Sequence, residues 1–284
     1  MTFPLVMGLD GSDESLAAVD WAVDEAARHG LALRLVHASR WERYERAVLS
    51  AGRGRPSGRV LAENLVAAAA ERAALRDPDV KVTTDIVPDD AVDVLLRESD
   101  NAFALVTGSR GRGELTGALL GSVGLAVAAR ARCPVIVVRG DAAGTGGTHE
   151  RILLGAGEPG AEAVRFAFRE AQARGCTLDV VRAWRHPAHE DAGDPATGES
   201  EERASAVLDA LVRDAGAERP GVRVRTATVE GPAHTVLVHR SAAADLVVVG
   251  ARRRHGHPGL QLGRVSHTLL HHAHCPVAVV PQTV

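Results

Sequence analysis

Two stretches of this chain stand in the same register 142 residues apart, and that repeat limits the possible folds more than any other feature. The shift carries Gly108 onto Gly250, Gly121 onto Gly263, and Cys133-Pro134-Val135 onto Cys275-Pro276-Val277. A common shift over separate segments marks an internal duplication. Each copy of ~140 residues is long enough for a hydrophobic core of its own, so the chain reads as two similar domains and not as a solenoid. The expected boundaries are 1–140 for the first domain, 141–150 for a linker and 151–284 for the second.

Within each copy, apolar runs alternate with amphipathic ones. In the first, strands are expected over residues 3–9, 31–38, 80–87, 103–107 and 134–138, with helices after Ser12 and over 59–76, 91–98 and 123–129. Ser12 suits an N-cap, and Leu16, Val19, Val23 and Ala26 then fall on one helical face. The second copy repeats this order from residue 151 to residue 280. Apolar strands alternating with helices indicate an α/β fold, each copy an open five-stranded parallel sheet with helices on both faces. Residues 40–58 and 185–199 read as long polar loops, and 139–150 (RGDAAGTGGTHE) has the composition of a flexible linker. Trp21 and Phe166 hold matching helix positions and read as core aromatics.

After the fourth strand comes GSRGRGELTGALLGS, residues 108–122, with glycine at 108, 111, 113, 117 and 121. Glycine admits positive φ and lets a ligand approach the main chain. Arg110 and Arg112 add positive charge, and Gly121-Ser122 opens a helix, where free N–H groups and the dipole favour an anion. Together they form a phosphate cradle; the plainer reading is a surface loop. Asp13 and Glu14 would repel phosphate at the start of the first helix, which directs it to the later loop. Asp10 ends the first strand, on the edge where open parallel sheets take ligands. It can bond a ribose hydroxyl or an exocyclic amine, or simply turn the chain before Gly11. His37, at the end of the second strand, reads as structural.

Composition narrows the partners. A net charge of −3 makes no global electrostatic case for nucleic acid, and one Tyr with four Phe leaves few platforms for stacking bases. No apolar run is long enough to span a bilayer, and the N-terminus lacks a signal-peptide pattern. Neither nucleic acid nor membrane is therefore expected as a partner, and a cytoplasmic location is. Three cysteines do not suggest a disulfide framework; Cys133 and Cys275, each before proline, read as buried thiols.

The pattern Gly108-x-x-Gly111, nine further residues, then Gly121-Ser122, with Asp10 after strand one and a Cys-Pro-Val strand after the helix, resembles the universal stress protein family. The resemblance covers nearly the whole chain, and the duplication resembles the family's tandem-domain members. It implies an adenine nucleotide alpha hydrolase-like fold that holds ATP, with Mg2+ able to accompany it, along the C-terminal edge of the sheet. By the same resemblance the Gly8 backbone and the Asp10 carboxylate face the nucleoside, and Ala38 meets adenine through its main chain. Gly108, Ser109, Arg110, Gly111 and Arg112, with Gly121, Ser122 and Val123, would hold the phosphates. A stress-response regulator with little or no turnover is implied. So is an internal pseudo-dimer of the two halves, while pairing of two chains into a homodimer stays open.

The second copy departs from the pattern. Aligned on the helices, Asp10 corresponds to Gly155, Gly111 to Arg253, Gly113 to His255 and Ser122 to Arg264, while Gly108, Gly117 and Gly121 keep Gly250, Gly259 and Gly263. The second domain is expected to bind ATP weakly, in another pose, or not at all, although Arg252, Arg253 and Arg254 add charge suited to phosphate.

Four rival motifs fall short. Gly155 to Gly160 matches GxGxxG, but a dinucleotide site expects an acid at the end of the next strand, and Asp179 sits near that strand's start. There is no GxxxxGK[ST], and DGSDES is not the SGGxDS of ATP pyrophosphatases. His267 and His271, four apart on one helix face, would allow metal ligation. No acid or Cys completes a motif, and His267 stands where the first copy has Leu125, so partial burial or an interface is expected. With no paired nucleophile and base and no acidic cluster for Mg2+, no catalytic residue or metal ligand is assigned. The leading reading is an ATP-binding regulator. A slow ATP hydrolase and an interaction module with structural nucleotide are the alternatives.

Overall fold

The computed structural model describes residues 2–39, 58–111, 120–157, 160–185, 201–252 and 262–282. The chain divides into two units, Met1–Val138 and Arg139–Val284. The first runs β1 (Leu5–Leu9), α1 (Asp13–His29), β2 (Leu33–Ala38), α2 (Gly58–Arg76), β3 (Val82–Val87), α3 (Ala91–Glu98), a 3-10 turn (Ser99–Asn101), β4 (Ala104–Gly108), α4 (Ser122–Arg130) and β5 (Val135–Val138). Every ladder is parallel, in the order β3-β2-β1-β4-β5. The chain starts mid-sheet, moves out through β2 to β3, and returns past β1 to β4. The order therefore reverses between β1 and β4, and their C-terminal ends bound a crevice.

The sequence explains these elements locally. Leu5, Val6, Met7, Leu105 and Val106 are fully buried, as strands covered on both faces must be. Ser12 caps α1 by accepting from Ser15 N at 3.2 Å, and Gly30 ends it in the left-handed region at φ 62°. Ala18, Val19, Ala22, Val23 and Ala26 press its apolar stripe into the core. Strand β1 begins at Leu5, not Phe3, because Pro4 has no N–H to donate and Phe3 is exposed.

The second unit runs α5 (Ala142–Gly146), β6 (Arg151–Gly155), α6 (Ala161–Arg174), β7 (Thr177–Trp184), α7 (Glu201–Glu218), β8 (Arg223–Glu230), α8 (Ala233–Ser241), β9 (Leu246–Arg252), α9 (Arg264–His272) and β10 (Val277–Gln282). Its strands, all parallel, take the corresponding order β8-β7-β6-β9-β10. Phe166 and Phe168 of α6 fill its core, and Trp21 of α1 is likewise buried. Among the described residues no helix is long and apolar enough to cross a membrane.

Residues 139–150, read from composition as a flexible linker, instead carry α5. Asp141 caps this helix by accepting from Gly144 N at 2.9 Å, and Gly147 ends it at φ 73°. Gly144 lies so close to Cys275 that a Cβ on it would stand 2.9 Å from the cysteine Cβ. The loop expected over 40–58 falls almost wholly outside the described residues, as does most of 185–199.

All three cysteines are free and buried. Burial pushes the Cys133 and Cys275 thiols up from the ordinary 9.0 to about 12, and raises Cys176 as well. Ellman's reagent at pH 8 is expected to leave all three untouched in the native chain and to titrate three thiols after denaturation. Unfolded thiols ionise from about pH 9 while Cys133 and Cys275 stay protonated to about 12, so stability is lost as pH rises through that window. Stoichiometric labelling of the native protein would overturn this.

Candidate functional site

The crevice at the switch point is a cleft of about 600 Å³. Gly8, Asp10 and Ala38, at the ends of β1 and β2, line one side; Gly108, Arg110, Gly111, Gly121, Ser122 and Val123 line the other. Of the eleven candidates, these nine come together. Ser109 stands behind the loop, its carbonyl accepting from Gly121 N at 2.9 Å and so tying the loop's start to the start of α4. Arg112 lies outside the described residues. His37 is buried and donates from Nδ1 to the carbonyl of Leu9, itself a cleft-lining residue, at 2.8 Å, a bond that ties the ends of β1 and β2 together.

The start of α4 is the cleft's most distinctive feature. Gly121 offers no side-chain cap, and the first bond into the helix is Leu125 N to Gly121 O at 3.2 Å. The N–H groups of Ser122, Val123 and Gly124 thus have no intrahelical acceptor, and all three residues line the cleft. Such a terminus attracts anions. By contrast α1 is capped by Ser12 and carries Asp13 and Glu14 in its first turn.

Asp10 turns the chain and also faces the glycine loop. Its Oδ1 accepts from Ser12 N at 3.0 Å and from Ser12 Oγ at 2.7 Å, which fixes the turn. Its Oδ2 faces the glycine loop: a Cβ on Gly111 would stand 2.5 Å from it. Ser12 Oγ also donates to the Arg110 carbonyl at 3.3 Å, stitching turn to loop.

Some contributors escaped the sequence reading. Glu14 forms an ion pair with Arg110 at 3.1 Å, so this acid holds the loop's arginine at the cleft rim. Ala91 and Leu95 of α3 wall the cleft, and Leu95 Cδ1 lies 3.0 Å from where a Gly8 Cβ would be, so a side chain there would push the leucine aside. The i, i+4 apolar spacing of Ala91 and Leu95 was the available signal.

The second unit holds the counterpart cleft, shrunk to about 170 Å³. Here the helix-based alignment needs correction. Leu5 pairs Ala104 as Ile152 pairs Leu246, and Gly8 pairs Val36 as Gly155 pairs Val181. Gly155 is therefore the counterpart of Gly8, not of Asp10, and Leu237 packs on it as Leu95 packs on Gly8. Counted along the strand, Asp10 falls on Gly157, and the chain from Gly155 to Phe166 is two residues shorter than that from Gly8 to Trp21. The carboxylate is absent on either alignment.

Other second-unit groups differ too. The buried Gln282 side chain accepts from Glu162 N at 3.3 Å and presses on Gly250, whose Cβ would stand 3.0 Å from Gln282 Nε2. Asp179 lies near the start of β7, 3.4 Å from Arg151, and not at the sheet's C-terminal edge. Arg252 lines the small cleft, whereas Arg253, Arg254, His255 and Gly259 lie outside the described residues. His267, expected to be partly buried or at an interface, is exposed in the single chain, and His271 is half-buried.

Comparison with known proteins is consistent at every level. A family model described as the universal stress protein family matches residues 1–139 and again 148–281. Universal stress protein Rv2005c of Mycobacterium tuberculosis is 36% identical over 290 residues, covering 98% of this chain and 97% of its own length. Universal stress protein Rv2623 of the same organism is 31% identical over 294 residues, covering 99% and 97%. A crystal structure of a universal stress protein from Archaeoglobus fulgidus shares the fold, with a TM-score of 0.74, 18% identity and 98% of both chains covered.

Proposed function

The chain belongs to the universal stress protein family, with one family segment in each half, and we propose that its first unit binds ATP, with Mg2+, while its second unit does not. The observation that carries this reading is the uncapped start of α4, whose N–H groups at Ser122, Val123 and Gly124 open into a cleft of about 600 Å³. Phosphate there meets the helix dipole, the glycine loop from Gly108 to Gly111, and Arg110 at the rim. The nucleoside end then lies between Gly8, Asp10 and Ala38, with Leu95 as an apolar wall for the base. In keeping with its family, the reading is of a nucleotide-binding regulator in stress rather than of an enzyme. The 170 Å³ cleft of the second unit leaves too little room for a nucleotide. An internal pseudo-dimer of the two halves, and a homodimer of chains, belong to the same proposal; sedimentation velocity reads the latter.

The test is to denature freshly purified chain and identify released nucleotide by mass spectrometry. One adenine nucleotide per chain is expected, or one ATP per chain by calorimetry if the protein purifies empty. Two per chain would overturn the assignment of the second unit. None by either method would overturn the reading altogether and leave an interaction module.

A further inference from the structure

We propose that His267 and His271 on α9 chelate a divalent transition cation of the Cu2+, Ni2+, Zn2+ class, which makes the second unit a metal-binding half. Residues four apart on a helix lie one above the other on the same face. The two rings follow that rule, with centroids 4.5 Å apart and planes 37° from parallel. With metal–nitrogen distances of ~2.0–2.1 Å, two imidazoles ligating one ion at a right angle stand roughly 4.5 Å apart centre to centre. The centroid spacing thus matches ligation at a right angle, and His267 is exposed; the Nε2 of His271 is shielded from solvent, so the ion meets that ring through Nδ1.

The chemistry of the donor set picks the class of ion. Imidazole suits Cu, Ni and Zn, whereas Ca2+ and Mg2+ require oxygen ligands. Among the described residues no carboxylate or thiolate joins the pair as a third ligand, so water completes the shell. Binding should follow the order Cu2+ above Ni2+ and Zn2+.

A plainer account puts histidine at a helix C-terminus for its favourable interaction with the dipole. That account covers His271 and His272 in the last turn of α9, but not His267 one turn earlier. The duplication argues the same way. Under the 142-residue shift, His267 and His271 replace Leu125 and Ala129, and Leu125 lines the first unit's cleft. Eleven of the chain's thirteen histidines lie beyond residue 139, so the imidazole enrichment belongs to the copy that lost the nucleotide pattern. This inference stands whether or not the first unit binds nucleotide.

The experiment is calorimetric titration of the full chain with NiCl2, compared among wild type, H267Q, H271Q and H272Q. His272 is the internal control: it adjoins His271 in sequence, but its ring centroid is 6.1 Å from that of His271. H267Q and H271Q are each expected to lose one equivalent of Ni2+ relative to wild type, and H272Q none. Other histidines contribute equally to all four isotherms and cancel in the comparison. Equal thermal midpoints confirm that the variants fold, and H267A with H271A must reproduce the loss. Retention of that equivalent by either H267Q or H271Q, or its loss in H272Q, overturns the chelate.

Discussion

Arginine at Gly111 is expected to lower ATP affinity of the first unit at least ~100-fold, about 2.7 kcal/mol, as read by calorimetry. A side chain at this position forces Asp10 to move, since its first carbon would stand 2.5 Å from Asp10 Oδ2. A guanidinium there would pair with that carboxylate across the cleft. It would also lie where the proposal puts the phosphates, beside the open N–H groups of α4. The substitution reproduces the residue that the second copy carries at Arg253. Gly111→Ala separates the two effects. It adds the steric conflict without the charge and is expected to fall between wild type and Gly111→Arg. Asp10→Gly, which removes the opposing carboxylate, should recover part of the Gly111→Ala loss in a double-mutant cycle. If Gly111→Arg binds ATP within about threefold of a wild type that itself binds, the phosphates do not lie on this loop.

The sequence carried the architecture because its period is strong. Leu5 to Leu9 and Ala104 to Gly108 are apolar throughout, as buried parallel strands require, and Ala91–Glu98 begins and ends where its pattern does. The glycine loop and Asp10 were legible because they fall at strand ends, where an open sheet takes ligands. What stayed hidden depends on distance across the fold. Nothing local links Glu14 to Arg110, 96 positions later. The alignment of Asp10 with Gly155 failed because helix and strand follow different shifts. Trp21 maps onto Phe166, but Gly8 maps onto Gly155, so two residues are lost between these strand and helix positions. Matching the apolar run before each glycine, Leu5-Val6-Met7-Gly8 with Ile152-Leu153-Leu154-Gly155, would have shown it. Of the two environments expected for His267, burial does not hold, since a replaced leucine need not keep its place in the core and the ring stands exposed against His271.

The glycines of 139–150 show most sharply how composition misleads. Glycine signals flexibility only when nothing crowds it; here it permits close packing. Gly140 sits at φ 100°, and a Cβ on it would run into the His274 carbonyl and stand 2.8 Å from Cys275 Cα. Gly140→Val combines that collision with a backbone region that β-branched residues scarcely enter, and is expected to cost the second unit about 2–5 kcal/mol. Gly147 is also left-handed, at φ 73°, but has open space around it, so Gly147→Ala should cost only ~1–2 kcal/mol of backbone strain. Gly146, the last residue of α5, has ordinary room for a methyl, so Gly146→Ala is expected to be neutral or to stabilise by up to ~1 kcal/mol. Urea unfolding of the full chain followed by circular dichroism should therefore rank the midpoints Gly140→Val, then Gly147→Ala, then wild type and Gly146→Ala. A flexible linker would tolerate all three substitutions alike, so a Gly140→Val midpoint equal to wild type would return residues 139–150 to that description. The predicted order would instead make this segment part of the second unit's folding, with Gly140 and Gly144 required by the approach of His274 and Cys275.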